Sequence, residues 1–445
     1  FTIEGLVIGT TGGFLGVFLG ALLARWGVRI LSTTVPLIAI LVFALSQEAR
    51  WLIGFTLNHP VRTVVNTAPV SKCAGCNLIL VSLDTLRADG LAKMPNLKKI
   101  AAQSMFFSNA YTAAYFTTPS HMTVFTSLYP STHQVESTLF RMETVENGET
   151  KIQFSGKEAQ ALSANYVTLA EVLSGAGYRT QWHAPLGLKF FDFKDGFGRG
   201  FQKFYPPPFA RVEPGGFDRT SLTILNDKSP SFLFLHSYIM HLPRFTDSAD
   251  KASLLAEFND RADKNGDPDT YWHAVGQVQG NRSKTLIALG GAQEREETAR
   301  FRRAYDQAAA ELDRQIGQMW RELEKSGALN KSLVVFFSDH GERLFEHSGR
   351  GDVGHGDFFE PTARIPLIIF HPMAGAMVLP QLTSLVDLMP ALLHLLEIPT
   401  PKQAQGQVPW LEPRKLVYGF TLGADFVTDG FWKLLRNHEG GESLF

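Results

Sequence analysis

Two runs along this chain, Asn77-Leu78-Ile79-Leu80-Val81-Ser82-Leu83 and Ser332-Leu333-Val334-Val335-Phe336-Phe337-Ser338, are near-continuously apolar, and each ends in an aspartate, Asp84 and Asp339. A strand that is apolar at nearly every position, rather than at alternate ones, is buried on both faces, as the strands of a parallel sheet are. Ser231-Phe232-Leu233-Phe234-Leu235, followed by His236 and His241, has the same character, and so has Arg364 to Phe370, followed by His371. Helical segments lie between them: Met94 to Gln103, Val167 to Gly175, the charged and Ala-rich Ala292 to Lys325, and Leu385 to Leu396, which Pro390 interrupts. Strand then helix, repeated, predicts an α/β layered fold with a central mostly parallel sheet. Open sheets of this kind gather ligands at the carboxyl ends of their strands, where Asp84 and Asp339 fall.

A second feature is Phe116-Thr117-Thr118-Pro119-Ser120-His121, followed by the apolar run from Met122 to Tyr129 and closed by Pro130. Thr117 or Thr118 suits an N-cap, Pro119 suits the first helical position, and Met122, Phe125 and Tyr129 recur at helical spacing. A hydroxyl at such a helix start meets free backbone N–H groups and the positive end of the dipole, which favour an anion or an alkoxide. Alone, the pattern is also that of an ordinary cap. With Asp84, Asp339 and His340, however, Thr117 completes a set of hard and borderline donors for one divalent cation, Mn²⁺, Mg²⁺, Ca²⁺ or Zn²⁺. Such a cation would lower the pKa of the Thr117 hydroxyl and orient it for attack.

Opposite charges nearly balance, 42 Lys and Arg against 43 Asp and Glu, and no basic run occurs, which argues against nucleic acid as a partner. Residues 1–57 read as a membrane region with two spans, ahead of a signal peptide, which needs only one apolar segment, and of a buried helical hairpin, which the many glycines suit less. Gly5 to Ala24 is an uncharged run of about twenty residues and Ile30 to Ser46 a second of about seventeen, near the lower limit for a span. Arg25 and Arg29 between them put that short loop in the cytoplasm and everything after Ser46 on the extracytoplasmic side of the cell membrane. Residues 58–76 read as a linker. Its Cys73-Ala74-Gly75-Cys76 has no second pair to complete a zinc site, and a disulfide and an incidental pair both fit. Residues 77–445 read as the α/β domain, in which Ser248 to Lys284 is a polar loop insertion, a lid or plain surface, and it and the Pro206-Pro207-Pro208 turn are candidates to line the pocket. The chain opens on Phe1 and stops at Phe445 directly after a strand-like segment, as a fragment with a truncated C-terminus would.

These residues resemble the sulfatase-like branch of the alkaline phosphatase superfamily over about Asn77 to Phe445, with the motifs in the family's order. Leu83-Asp84-Thr85-Leu86-Arg87-Ala88-Asp89 is similar to the first metal motif, and Met94-Pro95-Asn96-Leu97 to the segment after it. Thr117 to His121, continuing through Leu128-Tyr129-Pro130-Ser131-Thr132-His133, resembles the nucleophile motif. Ser338-Asp339-His340-Gly341-Glu342, Gly354-His355-Gly356 and Arg364-Ile365-Pro366-Leu367 resemble the second metal motif and its sequel. Trp432-Lys433-Leu434 through Leu444-Phe445 is similar to the C-terminal strand and hairpin.

The resemblance implies an alkaline-phosphatase-like layered fold and a sulfate or phosphate ester bound with one oxygen on the cation. Asp84, Asp339 and His340 would hold the cation, Thr117 would attack, and His241 and His355 would bind oxygens of the ester or protonate the leaving group. His236 would pack beneath the site, and His347 is ambiguous. The family's sulfatases oxidise a Cys or Ser, inside Cys-x-Pro-x-Arg, to formylglycine; here Thr117 takes the first place and His121 that of the arginine. The methyl group on the β-carbon of threonine rules out an aldehyde, so formylglycine is not expected. Thr85 stands where calcium sulfatases have a second carboxylate and His340 where they have an amide. The expected function is a metal-dependent hydrolase of small-molecule, glycan or lipid sulfate or phosphate esters. The alternatives are a membrane-anchored phosphoglycerol or phosphoethanolamine transferase and a non-catalytic domain that binds anionic glycans.

Overall fold

The computed structural model of the protein describes residues 70–445 except 136–139, 145–149, 155–160, 184–194, 206–218, 227–228, 242–290, 345, 347–352, 422 and 439–440. The predicted membrane spans, most of the linker, His347, the triple-proline turn and the Ser248 to Lys284 insertion lie outside these residues. Among the described residues no helix is long and apolar enough to cross a membrane.

In chain order the strands begin with β1 (Asn77–Leu83), β2 (Met105–Tyr111), a hairpin of β3 (Phe140–Thr144) and β4 (Thr150–Phe154), β5 (Arg179–His183), β6 (Lys203–Phe204), β7 (Ser231–Ser237) and β8 (Ser332–Phe337). A short pair, β9 (Arg343–Leu344) and β10 (Val353–Gly354), precedes β11 (Arg364–Phe370), β12 (Met377–Leu379) and β13 (Thr383–Ser384). The chain closes with β14 (Val417–Phe420), β15 (Ala424–Thr428), β16 (Lys433–Asn437) and β17 (Glu442–Leu444). The main helices are α1 (Pro95–Ala101), α2 (Thr117–Thr126), α3 (Leu169–Gly175), α4 (Gly291–Lys325) and α5 (Leu388–Leu395).

The large sheet runs β12-β2-β11-β8-β1-β7-β5-β6, with β13 also on β2. At its centre β1 pairs in parallel with both β7 and β8, so that Val81 lies opposite Leu235 on one side and Phe336 on the other. Every residue of β1, β7 and β8 is buried. This is what their unbroken apolar runs require, and β1 and β11 keep the predicted limits. β11 differs in direction: it runs antiparallel to both β8 and β2. Its carboxyl end, and His371 after it, therefore lie at the edge away from Asp84 and Asp339, so His371 does not belong with those strand ends. The segment entering β11, which carries His355, reaches the active edge instead. Because β2 is also antiparallel to β11, it points the same way as β8 and delivers the chain to that edge just before α2.

Aromatic packing fixes α2 on the sheet. Phe125 meets Phe234 edge to face with ring centroids 5.1 Å apart, and Trp182, Phe197 and Phe201 close around the pair. Edge-to-face contacts of this kind add to the burial of large apolar rings. On α4, Trp320 packs 6.4 Å from Phe336 and 5.0 Å from Phe370. Asp313 of the same helix accepts hydrogen bonds from the backbone N–H groups of Asn96 and Leu97 at 3.0 and 2.9 Å. The N-terminus of α1 has no side-chain cap of its own, so this carboxylate satisfies orphan donors and complements the dipole. Pro390 does not interrupt its helix as predicted. It stands in the first turn of α5, where an N–H has no partner to lose.

The C-terminal sheet β14-β15-β16-β17 includes the expected hairpin of β16 and β17. Lys433 anchors it: its buried ammonium donates to the Phe358 carbonyl, pairs with Glu360 at 2.5 Å and lies over the rings of Tyr111 and Phe426. Phe358 and Glu360 belong to the segment entering β11, so the small sheet supports the backbone that carries His355. Cys73 and Cys76 are joined as a disulfide just before β1.

Candidate active site

Asp84 leaves the end of β1 with its N–H donating to the Ser237 carbonyl of β7 at 3.1 Å. The next residue, Thr85, has φ 55°. A left-handed backbone is a strained state for a β-branched residue. Tyr305 of α4 holds it: the phenol oxygen accepts from the Arg87 N–H at 2.8 Å and donates to the Thr85 carbonyl at 3.1 Å. The turn aims the Thr85 N–H at Asp339 Oδ1, 3.3 Å away, and so ties the turn after β1 to the carboxylate that follows β8. The Thr85 hydroxyl is buried and makes no hydrogen bond among the described residues. Replacing Thr85 by Gly removes both the strain and that hydroxyl. Thr85→Gly is therefore expected to leave the stability of the metal-free protein unchanged or raise it by up to ~1 kcal/mol in urea unfolding, where an unstrained buried threonine would lose stability.

Asp84, Asp339 and His340 each offer a ligating atom within 4.8 Å of the others, and all three are fully buried. His340 Nε2 stands 3.5 Å from Asp339 Oδ2 and 4.0 Å from Asp84 Oδ1. Its Nδ1 donates to the Gly341 carbonyl at 3.0 Å, which turns the Nε2 lone pair toward the carboxylates. Gly341 is needed at this point, because a Cβ there would stand 2.0 Å from the Pro361 carbonyl oxygen. Asp339 Oδ2 is buried and accepts no hydrogen bond among the described residues. Two carboxylates and an imidazole nitrogen at this spacing suit a hard or borderline divalent cation, and such a cation would compensate the buried charge.

Thr117 meets this group with its Oγ1 3.5 Å from His340 Nε2. α2 starts earlier than predicted: Phe116 is the N-cap, without a side-chain bond, and Thr117 is the first helical residue. Pro119 thus falls at the third position, still within the first turn whose N–H groups need no helical partner. One turn on, His121 touches the backbone of Thr117 rather than its hydroxyl, with Nδ1 donating to the Thr117 carbonyl at 2.8 Å. His121 Nε2 lies 2.8 Å from the Ser82 hydroxyl. His236 packs beneath the site, as expected, and also touches it, with Nε2 3.3 Å from Asp84 Oδ2. Burial pushes the imidazoles of His121 and His236 down to about 3 and about 4, so both are neutral at pH 7.

His355 and His241 close the other side. The His355 ring is 4.2 Å from that of His340 and 5.4 Å from that of His241. The buried Glu342 lies under it, with Oε1 3.5 Å from His355 Nδ1. The His355 side chain keeps 13% of its surface exposed, while Asp84, Asp339 and His340 keep none. All predicted site residues thus converge on one edge. Ser82, Tyr305 and Glu342 join the site without a role that sequence spacing assigns to them. Glu342 ends the Ser338 to Glu342 motif, whereas Tyr305 is one position in a long charged helix.

The family model described as Sulfatase matches residues 76–398. Arylsulfatase K of Rattus norvegicus is 24% identical over 376 residues, covering 74% of this chain and 61% of the rat protein. The multifunctional alkaline phosphatase superfamily protein PehA of Trinickia caryophylli is 22% identical over 399 residues, covering 74% of this chain and 76% of that protein. Among solved structures, the phosphonate monoester hydrolase of Agrobacterium radiobacter superposes with a TM-score of 0.56 at 19% identity, over 83% of this chain and 89% of that one. At that identity the likeness speaks for the fold alone.

Proposed function

The chain belongs to the sulfatase family of the alkaline phosphatase superfamily, and from that premise we propose that it is a metal-dependent hydrolase of sulfate or phosphate esters with unmodified Thr117 as its nucleophile. The observation that carries this reading is the Thr117 hydroxyl, 3.5 Å from His340 Nε2, beside the buried group of Asp84, Asp339 and His340. These three residues, with the Thr117 oxygen, would hold one divalent cation. When bound, it supplies positive charge that neutralises the ester oxygens and favours the deprotonated hydroxyl.

The remaining steps fall to this chain's own side chains. Thr117, its proton passed to a water that leaves the site as the ester enters, forms a bond to phosphorus or sulfur as the bond to the ester oxygen breaks. The leaving alcohol takes a proton from His241 or His355, whose rings stand together beside His340, and the donor regains a proton from water before the next turnover. Water then attacks the phosphorus or sulfur, and Thr117 recovers its hydroxyl. Transfer to an alcohol acceptor differs only in this second step, and retention of the whole metal group speaks against a purely binding role. The proposal includes a membrane anchor in residues 1–57 and an extracytoplasmic catalytic domain. It rests there on the two uncharged runs and on Arg25 and Arg29.

The test is turnover of an aryl sulfate and an aryl phosphate with Mn²⁺ and no lipid present. The reading expects multiple turnover of at least one ester, lost with EDTA and restored by added Mn²⁺. A protein that binds Mn²⁺ and turns over neither ester would overturn it; turnover only with an alcohol acceptor would favour transfer.

A further inference from the structure

Two histidines and a serine form a buried bridge beneath the candidate cation site. Ser82 of β1 lies opposite His236 of β7 in the parallel register. Its Oγ is 3.0 Å from His236 Nδ1 and 2.8 Å from His121 Nε2. His236 continues to Asp84, with Nε2 3.3 Å from Oδ2. His121 continues to α2, with Nδ1 2.8 Å from the Thr117 carbonyl oxygen, and stands 3.6 Å from Asp339 Oδ2. The Ser82 and His121 residues and the His236 side chain are fully buried. One hydroxyl therefore reaches, through one imidazole on each side, both strand-end carboxylates and the backbone of the nucleophile.

The bond directions follow from the Thr117 end of the bridge, since Ser82 has one hydroxyl hydrogen to give. A carbonyl only accepts, so His121 Nδ1 carries hydrogen and its Nε2 accepts from the Ser82 hydroxyl. Ser82 Oγ in turn accepts from His236 Nδ1–H, which turns the Nε2 lone pair of His236 toward Asp84. A nitrogen lone pair beside a carboxylate oxygen is favourable when a positive charge lies close to both. We propose that Ser82 is a positioning residue for the cation site, which sets the tautomer and orientation of His236 and His121 and so holds Asp84, Asp339 and the start of α2 in one arrangement. The inference rests on the metal-binding reading of Asp84, Asp339 and His340.

The experiment is Mn²⁺ titration calorimetry of the wild-type chain, Ser82→Ala and Ser82→Thr at neutral pH, with melting temperatures of the metal-free proteins beside it. Ser82→Ala is expected to weaken the Mn²⁺ Kd by about 10–100-fold, the usual range for residues behind metal ligands, and Ser82→Thr, which keeps the hydroxyl, to stay closer to wild type. Wild-type affinity in Ser82→Ala overturns the proposal, because a merely structural serine would lower the metal-free melting temperature and leave Kd alone. Should a Ser82 variant not fold, His236→Gln takes its place. It removes the nitrogen that meets Ser82 while keeping a polar group toward Asp84, and an unchanged Kd there overturns the proposal equally. If the wild-type chain itself binds no Mn²⁺, the metal-binding reading fails first and the inference falls with it.

Discussion

Thr117→Ala is expected to lower kcat for an aryl phosphate or sulfate by at least about 10⁴-fold, because it deletes the only atom proposed to form a covalent bond with the substrate. The cation should remain, held by Asp84, Asp339 and His340, with an affinity within about tenfold of wild type. That contrast separates the nucleophile from the metal site, since a variant that lost both would say only that the region had collapsed. Thr117→Ser restores a hydroxyl at the same helix position and should recover much of the rate. The side chain is fully buried at the start of α2, with Phe125 of the same helix locked among Phe234, Trp182 and Phe201, so the helix itself should keep its place in either variant. Stopped-flow and steady-state rates at saturating Mn²⁺ give the comparison.

Removal of a carboxylate should act oppositely on binding and on stability. Asp339→Asn is expected to weaken Mn²⁺ binding by more than about 100-fold, since the amide cannot supply the negative charge of Oδ2 beside His340 Nε2. Because Asp84 and Asp339 are fully buried within one group, their like charges burden the metal-free protein. The metal-free variant should therefore melt at or above the temperature of metal-free wild type. In wild type, Mn²⁺ at about 100 times its Kd should add ~2.7 kcal/mol of stability, because the ion binds the native state and not the unfolded one. The same addition should leave Asp339→Asn unmoved. Differential scanning fluorimetry with and without EDTA reads both effects, and a wild-type Mn²⁺ response in Asp339→Asn would mean that the site lies elsewhere.

The extent to which the sequence disclosed this arrangement follows from what burial leaves in a pattern. A strand covered on both faces is apolar throughout, so β1, β8 and β11 were legible, and the strand-end rule then located Asp84, Asp339 and His340. The same pattern carries no direction. Arg364 to Phe370 reads alike whichever way it runs, and its antiparallel pairing moved His371 away from the active edge and brought His355 to it. Helix limits differ from the pattern at Pro119 and Pro390, because a proline marks neither a start nor an interruption uniquely and fits anywhere in a first turn. Ser82 stayed hidden inside an apolar run, where a buried hydroxyl looks like filling until its partners from β7 and α2 are known. Tyr305 is more than two hundred residues from the turn it clamps, and no local spacing announces such a contact.

The central claim is that an ordinary threonine hydroxyl, made reactive by the group beside it, attacks the ester. Peptide mass mapping of wild-type protein quenched during turnover of an aryl phosphate or aryl sulfate with Mn²⁺ tests that claim most directly. The account predicts a phosphoryl or sulfo group on Thr117, absent without Mn²⁺ and absent in Thr117→Ala. Turnover at the wild-type rate in Thr117→Ala, or a covalent adduct on another residue, would contradict it.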